Sequence, residues 1–379
     1  MKNCLEGSNA VALMVNMCRP AVVSAYPITP QTHIVEDLSK FKSDGSATFE
    51  FVRADSEFAA ASIVLGSSAS GVRSYTATSS QGLLLMTEVV FTIAGMRLPV
   101  VMTVANRAVS GPINIWNDQQ DAMTVRDSGW IMLFAETNQE AADLHISAFK
   151  IAELTRIPVM VNMDGFVLTH TYEPVEMPSA EMVKKYLPEY KPAAGQFLDT
   201  SDPKSLGTFA TPEDYIDIRK DLFDDLASSK TVIKKEFISF KKYFGRGGGL
   251  VEYYGDKNAK TVFVSMGSVI GTIKDTVDEL NEQGEKAAVV KVKCFRPFPV
   301  DEIVKVLNKA KNIAVIDKSV SLGQQGILAL ELKAAMQGAS KVNITSVVAG
   351  LGGRDITRKD LHKVYIQVQK IGKKVLFLN

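Results

Sequence analysis

The sequence predicts an α/β protein built on two parallel sheets, and three observations lead there. Short runs rich in β-branched and apolar residues recur along the chain, such as Ala21-Val-Val-Ser-Ala25 and Val159-Met-Val-Asn-Met163. Stretches with helical periodicity separate most of them. The runs are apolar throughout rather than alternating, which is the pattern of strands covered by helices on both faces. In such sheets ligands bind outside the carboxyl ends of the strands.

Taken in order, residues 9–18 read as a buried helix following Gly7. Strands are expected near 21–25, 47–52, 73–78, 100–104, 132–135 and 159–163, with helices at 32–41, 56–70, 82–94 and 138–154. Between the first strand and its helix stands Tyr26-Pro-Ile-Thr-Pro30. Each proline fixes its own φ and pushes the preceding residue toward extended geometry, so this loop should be stiff. Pro30 suits the first position of a helix, which makes Thr29 the expected N-cap. A helix N-terminus with a spare hydroxyl suits a carboxylate or phosphate.

Residues 172–249 are richer in charge and proline and end in Gly245-Arg-Gly-Gly-Gly249. They read as a connecting segment with one long surface helix, from Pro212 to about Phe244, and a flexible glycine joint. A second α/β unit follows from Leu250. Its strands are expected at 261–265, 287–293, 313–317 and 343–348, its helices at 272–283, 300–310, 323–336 and 357–370. The expected domains are therefore 1–171, 172–249 and 250–379.

Composition narrows the function classes. A chain of 379 residues with 46% apolar content has room for about two to three domains. A net charge of +1 removes the electrostatic case for nucleic acid. No apolar run approaches the roughly 18 residues of a membrane span. The opening Met-Lys-Asn-Cys-Leu-Glu lacks the charged-then-apolar order of a signal peptide, so a cytoplasmic location is expected. The three cysteines, Cys4, Cys18 and Cys294, form no Cys-x-x-Cys pair, and the four histidines are scattered. No disulfide framework, iron–sulfur cluster or metal site is expected within the chain, and any redox metal is assigned to a partner.

The polar residues that could carry chemistry fall just after expected strands. Thr29 follows the first, Asp55-Ser-Glu57 the second, Ser79-Ser-Gln-Gly82 the third and Asn106-Arg107 the fourth. Four polar stations on one sheet edge suit a ligand site, although loops are polar in any protein. Glu57 opens a helix of small residues, Phe-Ala-Ala-Ala-Ser. It is either a first-turn acid favoured by the helix dipole or a desolvated carboxyl that shuttles a proton. Arg107 offers a planar fork for a carboxylate; the plain alternative is a salt bridge to Asp118 or Asp121. Gly111 to Asp121 forms a long polar loop with one large aromatic, either functional or a folded Ω-loop. Ser79-Ser-Gln-Gly82 lacks both Gly-x-Gly-x-x-Gly and the Walker lysine, so it is weak as a phosphate loop. Leu351-Gly-Gly-Arg-Asp355 reads as a turn, with a phosphate or subunit contact as the alternative, and Phe295-Arg-Pro-Phe-Pro299 as a rigid proline turn.

With these residues in hand, the chain resembles the 2-oxoacid:ferredoxin oxidoreductases, most closely the α subunit of the multi-subunit pyruvate:ferredoxin enzymes. The resemblance is carried by Ala25-Tyr-Pro-Ile-Thr-Pro-Gln31, Ser56-Glu57, Thr78-Ser-Ser-Gln-Gly-Leu-Leu-Leu-Met86, Asn106-Arg107-Ala and Asn117-Asp-Gln-Gln-Asp121. It extends to Met163-Asp-Gly-Phe166, Leu168-Thr-His170, Met266-Gly-Ser268 and Phe295-Arg-Pro-Phe-Pro299. It implies a thiamine diphosphate pyrimidine-binding domain and a second domain like the transketolase C-terminal domain, mainly architectural. It also implies a β subunit with the diphosphate–Mg²⁺ site and a cluster, γ and δ or equivalent subunits or domains with ferredoxin-like [4Fe–4S] clusters, and a dimer of hetero-oligomers. Coenzyme A would be co-substrate, and ferredoxin or flavodoxin the electron acceptor.

By the same resemblance, Glu57 hydrogen-bonds the pyrimidine ring and favours the imino tautomer, Thr29 and Arg107 bind the substrate carboxylate, and Pro27 and Ser80 form the cofactor pocket wall. The implied reaction is oxidative decarboxylation of pyruvate to acetyl-CoA. The alternatives are another 2-oxoacid (branched-chain, 2-oxoglutarate or oxalate), a non-catalytic assembly subunit, and a non-oxidative thiamine diphosphate decarboxylase.

Overall fold

The computed structural model describes residues 2–338, 342–370 and 375–378. The chain runs β1 (Lys2–Glu6), α1 (Gly7–Cys18), β2 (Val22–Ala25), α2 (Thr32–Ser43), β3 (Glu50–Arg53), α3 (Glu57–Ala69), β4 (Ser74–Thr78), α4 (Ser80–Leu85), α5 (Thr87–Gly95), β5 (Val101–Asn106), α6 (Gln120–Thr124), β6 (Ile131–Phe134), α7 (Asn138–Thr155) and β7 (Val159–Asp164). Then come β8 (Tyr172–Glu176), α8 (Ala180–Tyr186) and α9 (Pro212–Phe244). The remainder is β9 (Val251–Gly255), β10 (Thr261–Ser265), α10 (Val269–Glu282), β11 (Ala287–Val292), β12 (Cys294–Arg296), α11 (Val300–Leu307), β13 (Asn312–Asp317), α12 (Ile327–Ala335), β14 (Asn343–Val348), a 3₁₀ turn at Leu351–Gly353, α13 (Arg358–Lys370) and β15 (Val375–Phe377).

The first sheet has the order β12-β6-β7-β5-β4-β2-β3, and the second β15-β14-β13-β10-β11-β9. Within the first, only β12 runs antiparallel, against β6. Within the second, only β9 does, against β11. The predicted fold class therefore holds, and for the predicted reason. β4, β5, β6 and β7 are buried at every position, as apolar strands under two helical layers must be.

The differences from expectation have physical causes. The helix expected at 82–94 is two helices, α4 and α5, broken at Met86 with φ −89° and ψ 8°. The strand expected at 287–293 ends at Val292, and β12 then crosses to the other sheet. Strands β1 and β8 pair only with each other. Both are short and half polar, so they carry no periodic signal. The glycine run is no loose joint. Gly245 caps α9 with φ 74°, and Arg246 forks onto Asp143 at 2.7 and 2.9 Å. The long helix also does more than cover a surface, because Leu222, Ile233, Phe237, Phe240 and Phe244 are buried along it.

In the first sheet β2 leads to β3 on one side, and the chain then returns to β4 on the other. The carboxyl ends of β2 and β4 therefore flank the crevice where a doubly wound sheet takes its ligand.

Candidate active site

The loop after β2 and the turn after β4 face each other across that crevice. The bridge between them is Gln31, fully buried, whose Nε2 donates to Ala77 O at 2.6 Å. The expected cap is corrected here. Helix α2 starts at Thr32, its N-cap residue is Gln31, and Pro30 lies outside the helix. Gln31 N–H already turns back to Ile28 O at 2.8 Å, which closes the loop one turn before the helix begins. Thr29 is exposed and presents its carbonyl, which accepts from Arg107 Nη1 at 2.9 Å. The structure thus brings Thr29 and Arg107 together, through backbone rather than hydroxyl. Pro27 is exposed on the same loop and lines a cleft of ≈ 560 Å³ together with Tyr26, Val35 and Arg53.

Arg107 is 7% exposed, and its guanidinium is held by two carbonyls, Thr29 O and Asn114 O at 3.0 Å. The salt bridge to Asp118 or Asp121 does not form: Asp121 takes the backbone N–H of Arg107 at 3.0 Å, and Asp118 turns to Gln120 N and Gly352 N. Burial, partly offset by Asp121, pulls the guanidinium below its usual range. A guanidinium that spends only Nε and Nη1 on carbonyls keeps donors with which it can take a carboxylate.

Glu57 begins α3, whose N-cap Ser56 accepts from Ala59 N at 3.1 Å. Its side chain is 8% exposed and has no hydrogen bond or ion pair among the described residues. It lies directly against α4. A Cβ added at Gly82 would stand 2.7 Å from Glu57 Oε1 and 2.5 Å from Thr78 Oγ1. Thr78 Oγ1 and Ser79 Oγ, at the end of β4, are buried without partners. Glu57 and Thr78 thus approach each other beside Gly82, and with Ser79 they leave three buried polar groups without partners near the end of β4, each of which calls for an explanation. Ser80 is different. Its hydroxyl donates to Ala108 O at 2.5 Å, and its φ of 42° is a strained backbone for a non-glycine residue.

The organiser of the site is Asp121, to which the sequence assigns no role beyond a salt bridge to Arg107 and a place in the motif Asn117–Asp121. It is fully buried and accepts from Ser80 N, Arg107 N and Asn106 Nδ2 at 3.0 Å each, and from Ala122 N at 2.7 Å. It therefore ties the ends of β4 and β5 to α6. Burial pushes its carboxyl up to about 7 against the pull of these donors.

One group of three metal-ligating side chains comes together among the described residues: Glu6, His33 and His170, with ligand atoms within 4.8 Å of one another. They come from β1, α2 and the segment after β7, so no sequence spacing could announce them. Two imidazoles beside one carboxylate suit a transition ion better than Mg²⁺.

Two family models match the chain. Residues 15–237 match the thiamine diphosphate-binding domain of pyruvate flavodoxin/ferredoxin oxidoreductase. The chain belongs to that family. Residues 259–361 match core domain II of pyruvate:ferredoxin oxidoreductase. Among curated relatives, the chain is 46% identical over 377 residues to pyruvate synthase subunit PorA of Methanosarcina barkeri, covering 97% of this chain and 93% of that protein. It is 44% identical to the PorA subunit of Thermotoga maritima, covering 95% of this chain and 93% of that one. It is also 41% identical to ketoisovalerate oxidoreductase subunit VorA of Pyrococcus abyssi, covering 98% and 94%.

The fold is similar to that of a 2-oxoglutarate:ferredoxin oxidoreductase from Magnetococcus marinus, solved with 2-oxoglutarate, coenzyme A and succinyl-CoA bound. The TM-score is 0.74 at 19% identity, covering 97% of this chain and 65% of that one. At that identity the likeness establishes the fold. The family resemblance read from the motifs holds over nearly the whole chain.

Proposed function

We propose that this chain is the α subunit of a pyruvate:ferredoxin oxidoreductase, which oxidises pyruvate with coenzyme A to acetyl-CoA and CO₂ and passes electrons to ferredoxin or flavodoxin. The observation that carries this reading is the pairing, around α4, of a buried carboxyl without hydrogen bond or ion pair among the described residues and a buried arginine whose guanidinium meets only carbonyls there. Gly82 touches Glu57, and Asp121 joins Ser80 N to Arg107 N. In the family, thiamine diphosphate supplies the carbanion chemistry when bound.

The residues present fit its aminopyrimidine end. Glu57 would hold a ring nitrogen in its protonated form, and the free hydroxyls of Thr78 and Ser79 would take the amino side. Arg107 would grip the substrate carboxylate while Thr29 O fixes the fork, and Pro27 would wall the entrance. Ser80 would shape the pocket wall through its N–H on Asp121 and its hydroxyl on Ala108 O. The three segments 1–171, 172–249 and 250–379 are proposed as its domains.

By the family resemblance, the diphosphate–Mg²⁺ site and the [4Fe–4S] clusters lie on β, γ and δ or equivalent subunits, in keeping with a sequence that offers no phosphate loop or cysteine motif. Tyr26, Phe58 and Leu85 stay exposed around the crevice, as a surface awaiting a partner chain would be. A dimer of such hetero-oligomers in the cytoplasm is the proposed state; no helix among the described residues is long and apolar enough to cross a membrane.

The test is purification of the native complex, with its subunits and iron counted, and coenzyme A-dependent reduction of a viologen dye compared across 2-oxoacids. Pyruvate should give the highest kcat/KM, and the isolated chain should reduce no dye. The likeness to VorA supports a second reading, a branched-chain 2-oxoacid, which a preference for 2-ketoisovalerate in the same assay would establish.

A further inference from the structure

The second sheet has a switch point of its own. From β10 the chain passes through α10 to β11 on one side, while β13 and β14 lie on the other. The crevice past the ends of β10 and β13 is where such a sheet takes a ligand. Here the first unit enters it. Asp164, the last residue of β7, accepts from Ser268 N at 2.9 Å at the start of α10 and pairs with Lys318 Nζ at 3.1 Å, one residue past β13. Burial opposes its ionisation, but Lys318 and the Ser268 and Gln119 donors outweigh that and hold its carboxyl low.

The loop 114–121 follows Asp164 into the same place. Gln119 N donates to Lys318 O at 2.8 Å, and Gln119 Nε2 to Asp164 Oδ1 at 3.1 Å. Lys318 Nζ also donates to Asn117 Oδ1. Farther along, Gly352 N donates to Asp118 Oδ2 and Asn114 Nδ2 to Gly352 O, both at 3.1 Å. Gly352 has φ 59°, and a Cβ there would stand 2.6 Å from Asn114 Nδ2. The same loop grips Arg107. Asn114 O takes its Nε, Asp121 its backbone N–H, and Trp116 O the N–H of the next residue, Ala108, at 3.0 Å.

We propose that the second α/β unit positions the substrate carboxylate: Lys318, through Asp164 and the loop 114–121, sets the aim of Arg107. The proposal rests on the reading of Arg107 as a carboxylate fork. Lys318 touches no substrate and is a positioning residue. A planar fork binds well only when its own acceptors are fixed, and a loop freed from its seat releases Asn114 O and with it the guanidinium.

The experiment uses the assembled complex carrying Lys318→Met, Lys318→Arg or Gly352→Ala. With the 2-oxoacid the wild type uses best, Lys318→Met raises KM about 10-fold or more. Its kcat and its KM for coenzyme A stay near the wild type. Lys318→Arg recovers most of the loss, and Gly352→Ala, which disturbs the loop at Asn114 and Asp118 instead, shifts KM the same way. Amide exchange of the full chain rises across 114–121 in Lys318→Met and stays unchanged across 57–69. An unchanged KM in both Lys318→Met and Gly352→Ala overturns the proposal. So does a fall in kcat with equal rises in both KM values and faster exchange everywhere, which is the mark of a general loss of structure. If the wild-type complex turns over no 2-oxoacid, the carboxylate reading fails by itself, and exchange across 114–121 alone decides whether Lys318 seats the loop.

Discussion

Asp121 sits where burial and hydrogen bonding oppose each other. Both of its oxygens accept from N–H groups, two each. An amide in its place would turn a donor toward at least one of those donors. Asp121→Asn should therefore cost about 1–3 kcal/mol in denaturant unfolding of the chain, and an unchanged midpoint would show that the four bonds carry no weight. The pH dependence has a definite sign. With the carboxyl raised from 3.8 to about 7, the folded state holds a proton the unfolded state has released. The associated stability is full below about 4 and is lost as pH rises through 7. Asp121→Asn should flatten stability over that window. Glu57 makes no hydrogen bond or ion pair among the described residues. Glu57→Gln should lower dye reduction by the complex about 100-fold or more while the complex assembles and melts as before.

At the scale of elements, α4 is the piece that touches both halves of the crevice. Gly82 is small because Glu57 and Thr78 approach it from two sides. Gly82→Ala should displace the Glu57 carboxylate and lower activity about 10-fold or more, by the cost of misplacing a reacting group. Unfolding measurements should also register a loss of about 1–3 kcal/mol, because the new methyl meets the buried Thr78 as well as Glu57. Helix α9 shows the opposite economy. Pro212 stands in its first turn and Gly245 ends it at φ 74°, so both boundaries are written in local chemistry. Its apolar face packs on α7 and the neighbouring core through Phe237 and Phe240. Phe240→Ala should cost about 3–5 kcal/mol in chain stability without changing which 2-oxoacid the complex prefers.

The two units are also joined by a buried ionic network on the side of α7. Lys291 Nζ reaches Glu136 at 2.9 Å and Glu140 at 2.8 Å, and Lys293 Nζ reaches Glu140 at 2.8 Å. Burial pushes the Glu140 carboxyl up, but Lys293 and Lys291 outweigh it and hold it down at about 2. A depressed carboxyl contributes stability that is full above its ordinary 4.5 and is lost as pH falls toward 2. The chain should therefore weaken on acidification between those values, by on the order of 3 kcal/mol from this group. Glu140→Gln should be less stable at neutral pH and show a flatter acid limb. Equal acid slopes in both proteins would remove Glu140 from the account.

The sequence by itself determined the fold class, both ends of α9 and the four polar stations past β2, β3, β4 and β5. These rest on patterns a few residues long: apolar runs, helical periodicity, a proline at one helix end and a glycine at the other. The family motifs placed Glu57 and Arg107 among the site residues, but not their surroundings. Only the tertiary structure decided that Thr29 meets Arg107 through its carbonyl, that Asp121 binds backbone instead of pairing with the arginine, and that Glu6, His33 and His170 converge. It alone decided that Lys318 and Gly352 seat a loop more than 200 residues earlier in the chain. The short strands β1, β8, β9 and β15 escaped notice for the same reason, since each exists through the neighbour it pairs with. Contacts of that range depend on which strand ends converge, and no local run of residues encodes that.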